Sequence, residues 1–446
     1  MKVFFDDSEF DGQFARTVGK SVVGMADVGE CFAAASRMTP GDYGSWRDSW
    51  HSAAERVEHI AEEAAKAGRR RSAGEAYLRA SEYHRASYFF DRVDLAGSFL
   101  RSAWEATRRT FQHGLSYLDV AVEVITVPYA GRRLTGYLIR PEGAGARPYP
   151  TVVTVAGYDS PIEEYYAYNA VGGTTRGYAV LMVDGPGQGS ALYDQGLVFR
   201  PDYEVVFAAI LDLATERREV DRERIALSGR SFGGYLAPRA ACFENRVRAL
   251  IADPGLYDLG SQVRAMVPSE LWAQVEPSAP EAERTFAEMF ERDPRREYFF
   301  MSRAVTHGAR SAPEYLRMLQ DYRVPADRIA VPTLVTAQPD DPETRRLYEA
   351  ISSPKVLAEF DPDAGEWGHC EGVALSRYDQ VVHDWLDGVW RADPSGAHSL
   401  ALTVSRAALN EVTWQRHGTR RLPPPRLTAG WRIRSDHLYT ISVAST

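Results

Sequence analysis

The sequence predicts an α/β fold: a mostly parallel, doubly wound sheet preceded by an all-helical region. Three observations carry this. Residues from about 8 to 113 show helical spacing only. From about 119 onward, short apolar runs of strand type alternate with helical segments. One of those runs, Arg224-Ile225-Ala226-Leu227-Ser228, passes through Gly229-Arg230-Ser231-Phe232-Gly233 into Gly234-Tyr235-Leu236-Ala237, small residues suited to a closely packed helix.

In the helical region, Trp46 and Trp50 lie one turn apart and lead into the Ala/Glu-rich stretch from Ser52 to Ala67. Arg69-Arg70-Arg71 reads as a solvated turn. Ser72-Ala73-Gly74-Glu75 then has the form of a capping box, opening a helix in which Ala76, Ala80, Tyr83 and Ser87 share a face. Small residues there imply close helix–helix contact. The runs Val122–Val127 and Arg133–Ile139 suit an antiparallel pair joined at Tyr129-Ala130-Gly131. Parallel strands are expected at 151–156, 178–183, 224–228, 248–252, 333–337 and 355–360. A long insertion separates the strands near 252 and 333. It contains two Ser-Ala-Pro-Glu helix starts, Ser278–Glu281 and Ser311–Glu314, each placing proline and an acid in the first turn. A last amphipathic helix spans about Ser376 to Trp390. The expected division is a helical domain over 1–115, an α/β domain over 116–392 with a helical cap insertion at about 256–328, and a loosely structured extension over 393–446.

Composition narrows the function. A net charge of −9 argues against nucleic acid or an anionic membrane as partner. Cys31, Cys242 and Cys370 are too few and scattered for a disulfide framework. The start, Met1–Asp7, turns acidic at once and lacks the apolar run of a signal peptide. No stretch of roughly 18 apolar residues suggests a membrane span. Together these predict a cytoplasmic location. No Cys/His cluster has metal-ligand spacing, so neither metal nor cofactor is expected.

A serine on a sharp strand-to-helix turn is the nucleophile elbow of the α/β-hydrolase fold, where glycines leave room and the hydroxyl stands above the sheet. Ser231 occupies that position. Serine needs a histidine to take its proton and an acid to hold the histidine, in the chain order Ser, acid, His. His369, in Glu366-Trp367-Gly368-His369-Cys370-Glu371, follows a late strand and precedes the last helix, as the base should. Asp340 and Asp341 follow the strand Thr333–Ala337. Asp340 has the preferred spacing, and whichever aspartate is not the acid is read as a helix cap. Oxyanion donors are expected from the N–H of Phe232 and from the loop Gly157-Tyr158-Asp159-Ser160, with Tyr158 as donor and Gly157 giving close approach. Asp184-Gly185-Pro186-Gly187-Gln188-Gly189 lacks the Lys-Ser/Thr of a phosphate loop and reads as a tight structural turn beside the elbow. Glu163 and Glu164 are candidates to face the pocket, although a solvated helix start is the preferred reading. Asp202, Glu204 and Asp258 are candidate pocket carboxylates.

Several stretches together resemble one branch of the α/β-hydrolases: Ala156–Ser160, Asp184–Gly189, Phe199-Arg200-Pro201-Asp202-Tyr203-Glu204, Gly229–Gly234, Gly368–Glu371 and, in the helical region, Tyr77-Leu78-Arg79-Ala80. The branch comprises 2,6-dihydropseudooxynicotine hydrolase, the fungal heptaketide-shortening hydrolases and the fermentation-respiration switch proteins. The resemblance covers about residues 10 to 392. It implies a helical N-terminal domain closing over the pocket, often a dimer, and cleavage of a C–C bond next to a carbonyl in an aromatic or polyketide-like small molecule. Ester or peptide hydrolysis and non-hydrolytic cyclase, lyase or acyl-transfer chemistry are the alternatives, with a non-catalytic ligand-binding protein behind them. Two departures stand out: Ala156 replaces a usual second glycine, and the acid loop before Leu347-Tyr348 is shortened.

Overall fold

Aspartates start the first three helices. The carboxylates of Asp7, Asp27 and Asp42 accept N–H groups from the opening turns of α1 (Ser8–Gly19), α2 (Val28–Ala35) and α3 (Tyr43–Lys66), satisfying donors that have no partner within the helix. We describe the protein from a computed structural model, in which residues 2–143, 148–339 and 341–391 are described. The described residues fall within one compact unit, Met1–Gly396. The expected extension over 393–446 lies outside them.

Two further helices, α4 (Arg70–Ser87) and α5 (Ser98–Tyr117), complete the N-terminal set. Ala73, Ala76, Ala80 and Ala86 of α4 are buried with Trp46, Trp50 and Tyr83, and Trp50 stacks on Tyr83 at 5.3 Å between ring centroids. Small side chains on α4 thus admit large ones from α3. The start of α4 corrects the sequence reading. Ala73 N–H already bonds to Arg69 C=O at 2.9 Å, so the helix begins at Arg70. Arg70 and Arg71 lie in its first turn, and Ser72 is not the cap.

Eight strands follow: β1 (Val122–Tyr129), β2 (Arg132–Ile139), β3 (Tyr149–Val155), β4 (Ala179–Val183), β5 (Val220–Arg230), β6 (Ala249–Asp253), β7 (Thr333–Ala337) and β8 (Lys355–Glu359). They form one sheet in the order β1-β2-β4-β3-β5-β6-β7-β8. The β1–β2 and β2–β4 pairs are antiparallel and all others parallel. Ala130 and Gly131, both at positive φ, make the two-residue β1–β2 turn. The interior strands β4, β6 and β7 are buried along their whole length, as a sheet covered on both faces requires.

Between strands run α6 (Val171–Thr175), α7 (Gly189–Tyr193), α8 (Glu204–Glu216) and α9 (Gly233–Ala241). The β6–β7 insertion holds α10 (Leu259–Met266), α11 (Ser269–Val275), α12 (Pro280–Arg292), α13 (Pro294–Ala304) and α14 (Ala312–Met318). The helices α15 (Pro342–Ala350) and α16 (Leu375–Arg391) end the described chain. Ser311 caps α14 as expected, accepting from Glu314 N–H at 3.3 Å. At α12 the cap position is Ala279, not Ser278, which sits at φ +60° one residue outside. Among the described residues, no helix is long and apolar enough to cross a membrane.

Candidate active site

The C-terminal ends of the parallel strands bring Ser231, His369 and the Gly157–Tyr158 loop to one edge of the sheet, where open α/β sheets place their ligands. β5, between β3 and β6, runs straight into Ser231, and α9 begins two residues later. Ser231 has φ +58°, a left-handed conformation that costs a β-carbon-bearing residue strain. The bend closes because its neighbours are small: a β-carbon at Gly229 would overlap the carbonyl oxygen of Gly233. The Ser231 N–H is tied to Asp253 C=O at 2.6 Å, so the end of β6 fixes the serine from below.

His369 follows β8 through Gly368, whose φ is +93°. Its Nε2 lies 2.8 Å from Ser231 Oγ. The residue keeps contact with solvent, yet protein crowded around the ring lowers the imidazole pKa below its ordinary value, with Asp159 opposing that shift. A base must be neutral to accept the serine proton. The acidic limb of the kcat/KM profile should therefore fall below pH 6.5. A limb centred above that pH would contradict this environment.

Arg230, the residue before the serine, is a part of the site that sequence reasoning missed. Its side chain is 2% exposed, and the guanidinium lies 3.1 Å from Asp253 Oδ2 and donates to the carbonyl of Cys370. It also stacks over Tyr378 at 4.0 Å and Tyr168 at 4.7 Å. Arg230 thereby ties the histidine loop to the serine turn. The available signal was an arginine at the end of the mostly apolar, buried run Ile225–Gly229, since such a charge is buried only with partners. Thr336 Oγ1 donates to Asp253 Oδ1 at 2.8 Å and Gln338 to Glu371 at 2.9 Å, extending this polar layer to β7.

The two acid candidates separate. Asp341 caps α15: its carboxylate accepts from Thr344 N–H at 3.1 Å and Thr344 Oγ1 at 2.8 Å. Pro342, at the first helical position, is preorganised for that start. Asp340 lies outside the described residues. Among the described residues, no carboxylate hydrogen-bonds to the His369 ring.

On the opposite side of the serine, a β-carbon at Gly157 would sit 2.9 Å from Ser231 Cβ, so only glycine allows this approach. Among the described residues, the N–H groups of Phe232 and Tyr158 have no acceptor. Their rings stack at 4.0 Å with an interplanar angle of 17°. Asp159 follows, with Oδ1 3.2 Å from Arg16 and Oδ2 3.9 Å from Arg92, two cations of the N-terminal helical region that hold its carboxyl well below the usual range against burial.

Glu163 and Glu164 overturn the solvated reading: they are 2% and 1% exposed. Glu164 accepts from Arg16 Nε at 2.7 Å and pairs with Lys20, while Lys20 also meets Glu82 at 2.6 Å and Arg85 pairs with Glu82 at the same distance. Glu163 accepts from Tyr137 OH at 2.9 Å. Burial and the nearby Glu163 push Asp184 up to about 8. Asp184 accepts N–H groups from Ile162 and Ser190, so the loop it opens is a structural turn. The remaining candidates are engaged elsewhere. Asp202 pairs with Arg200 at 2.6 Å, Glu204 with Arg239 at 2.8 Å, and Asp258 caps α10 through Ser261 N–H at 2.8 Å. Among the described residues, no group of three or more His, Cys, Asp or Glu side chains could hold a metal ion.

The chain is similar to several known proteins. The family model for FrsA-like esterases matches residues 41–270, a span that contains Ser231 and stops short of His369. The 20-hydroxy-prefusarin hydrolase of Gibberella moniliformis is 38% identical over 275 residues, covering 60% of this chain and 65% of that one. A hydrolase of Aspergillus aculeatus is 34% identical over 282 residues, covering 59% and 66%. The chain thus spans just under two thirds of the length of these curated relatives. The crystal structure of 2,6-dihydroxy-pseudo-oxynicotine hydrolase superposes with a TM-score of 0.64 at 23% identity, covering 83% of this chain and 95% of that one. That likeness establishes the α/β-hydrolase fold, and the relatives fall in the branch that the sequence motifs resemble. The family model covers more than half of the sequence, and the chain belongs to the FrsA-like esterase family.

Proposed function

We propose that the protein is a serine hydrolase that cleaves a bond next to a carbonyl in a small aromatic or polyketide-like metabolite. The observation that carries this reading is the 2.8 Å contact between His369 Nε2 and Ser231 Oγ at a residue held at φ +58°. His369 removes the Ser231 proton as the hydroxyl attacks the carbonyl. The N–H groups of Phe232 and Tyr158 receive the developing oxyanion, and removal of one such donor typically costs about 10²–10³ in kcat. Asp340 is the proposed acid that holds the imidazole, because Asp341 is committed to the α15 cap. The adduct collapses with return of the proton to the leaving group. Water deprotonated by His369 then hydrolyses the acyl-enzyme.

The substrate class is supported by the relatives, one of which is named for hydrolysing 20-hydroxy-prefusarin. For C–C cleavage the departing carbanion needs a second carbonyl or a phenol to stabilise it, so β-dicarbonyl compounds and acylated electron-rich rings are the compounds to test, beside simple aryl esters. Residues 1–115 are proposed to act as a helical domain over this site, with Arg16 and Arg92 reaching the oxyanion loop. Turnover in oxygen-18 water tests the chemistry. Hydrolysis places one labelled oxygen in the carboxylate product, whereas product formed without label would overturn it in favour of cyclisation, elimination or acyl transfer.

A further inference from the structure

His307 lies between α13 and α14 of the β6–β7 insertion and is 1% exposed. Both ring nitrogens are engaged by tyrosine hydroxyls. Nε2 is 3.0 Å from Tyr158 OH and Nδ1 is 2.9 Å from Tyr322 OH. Tyr158 OH lies in turn 3.1 Å from Tyr315 OH. Burial lowers His307 to about 3, so it is a neutral imidazole with one donor and one acceptor nitrogen. Tyrosine hydroxyls can serve either role, so every link of the chain Tyr322–His307–Tyr158–Tyr315 can be satisfied with donation running in one sense throughout, in either direction.

This chain grips one particular ring. Tyr158 stacks on Phe232 at 4.0 Å, and the His307 ring stands 5.5 Å from Tyr158, 5.6 Å from Phe232 and 5.3 Å from Phe199. The backbone on either side of that stack carries the two N–H groups that have no acceptor among the described residues. A ring free to turn about χ1 would let the Gly157–Tyr158 backbone drift. A ring pinned at its hydroxyl and along its face does not.

Resting on the serine-hydrolase reading, we infer that His307 is a positioning residue: as a bridge between Tyr322 and Tyr158, it locks the Tyr158–Phe232 stack and so holds both oxyanion donors in register. The helical insertion is thereby a structural part of the catalytic loop as well as a cover. His307 touches neither nucleophile nor base, so its effect should reach the rate through the Tyr158–Phe232 stack.

The test uses the full chain, with an aryl ester as substrate and a fluorophosphonate as label. His307→Phe should lower kcat by about 10²-fold, the scale expected when reacting groups are misplaced by an ångström, with KM within about twofold and the acidic limb of the pH profile unmoved. Tyr158→Phe, which removes the same hydrogen bond from the other side, should give a similar loss. The double variant should be scarcely worse than the poorer single one, because both cut the His307–Tyr158 link. His307→Gln, which keeps a donor and an acceptor, should recover part of the rate. Additive losses, or a wild-type kcat in Tyr158→Phe, would overturn the inference. If His307→Phe fails to fold, Tyr158→Phe and His307→Gln decide by the same criteria. Loss of labelling at Ser231 separates the two readings. If native protein is not labelled there, the hydrolase reading itself has failed, whereas normal labelling with unaffected His307 and Tyr158 variants rejects only the positioning role.

Discussion

Replacing Ser231 by Ala should abolish turnover, with kcat falling on the order of 10⁶-fold, the scale reached when the nucleophile of a serine–histidine pair is deleted. The fold should survive. Ser231 is held through its backbone N–H, to Asp253 C=O at 2.6 Å, and alanine keeps that bond. Among the described residues, its hydroxyl meets only His369, a residue that keeps contact with solvent, so water can replace the lost partner. His369→Ala should cost nearly as much, because serine at its free pKa is a weak nucleophile, and the double variant should be scarcely slower than either single one. Steady-state kinetics alongside a thermal melt checks both parts. A fall in kcat accompanied by a large loss of melting temperature would assign Ser231 a packing role instead.

The largest effect on stability is expected from Arg16→Ala. The Arg16 side chain is 13% exposed, donates to Glu164 and to Ser160 Oγ at 2.7 Å each, and faces Asp159 at 3.2 Å. Its removal leaves Glu164, whose side chain is wholly buried, with Lys20 and the more distant Arg85 as its remaining cations. Fully stranding such a buried charge costs about 3–5 kcal/mol, which sets the upper limit for this loss because Lys20 and Arg85 remain. A denaturant titration should show a midpoint lowered accordingly. Arg284→Ala, which breaks an exposed pair with Glu281, should leave the midpoint unchanged. Because Arg16 sits on α1 and Glu164 follows β3, the loss should appear in one transition shared by helices and sheet. Two separated transitions would show that the helical region unfolds independently of this network.

These two predictions differ in how visible their residues were in the sequence. The serine turn was legible because everything it needs is local: a strand, glycines on both sides, and small residues in the next helix. The histidine was legible by chain order, between a late strand and the last helix. Arg16 and Glu164 are 148 positions apart, and no local pattern announces their pairing. Two successive glutamates after a proline resemble an exposed helix start until three cations from elsewhere in the chain converge on one of them. The misplaced starts of α4 and α12 have a related cause. Ser72 and Ser278 are good capping residues, but the first helical hydrogen bonds are set by neighbouring turns. His307 gave no signal at all, since its tyrosine partners meet only when the insertion folds back over the sheet.

The central claim is that Ser231, activated by His369, carries the acyl group during turnover. It is tested most directly by trapping the enzyme with a fluorophosphonate or a slow aryl ester and locating the adduct by peptide mass spectrometry. The account predicts one adduct, on Ser231, absent in Ser231→Ala and strongly diminished in His369→Ala. An adduct on another residue, or turnover with no trappable serine ester in the native protein, would contradict it.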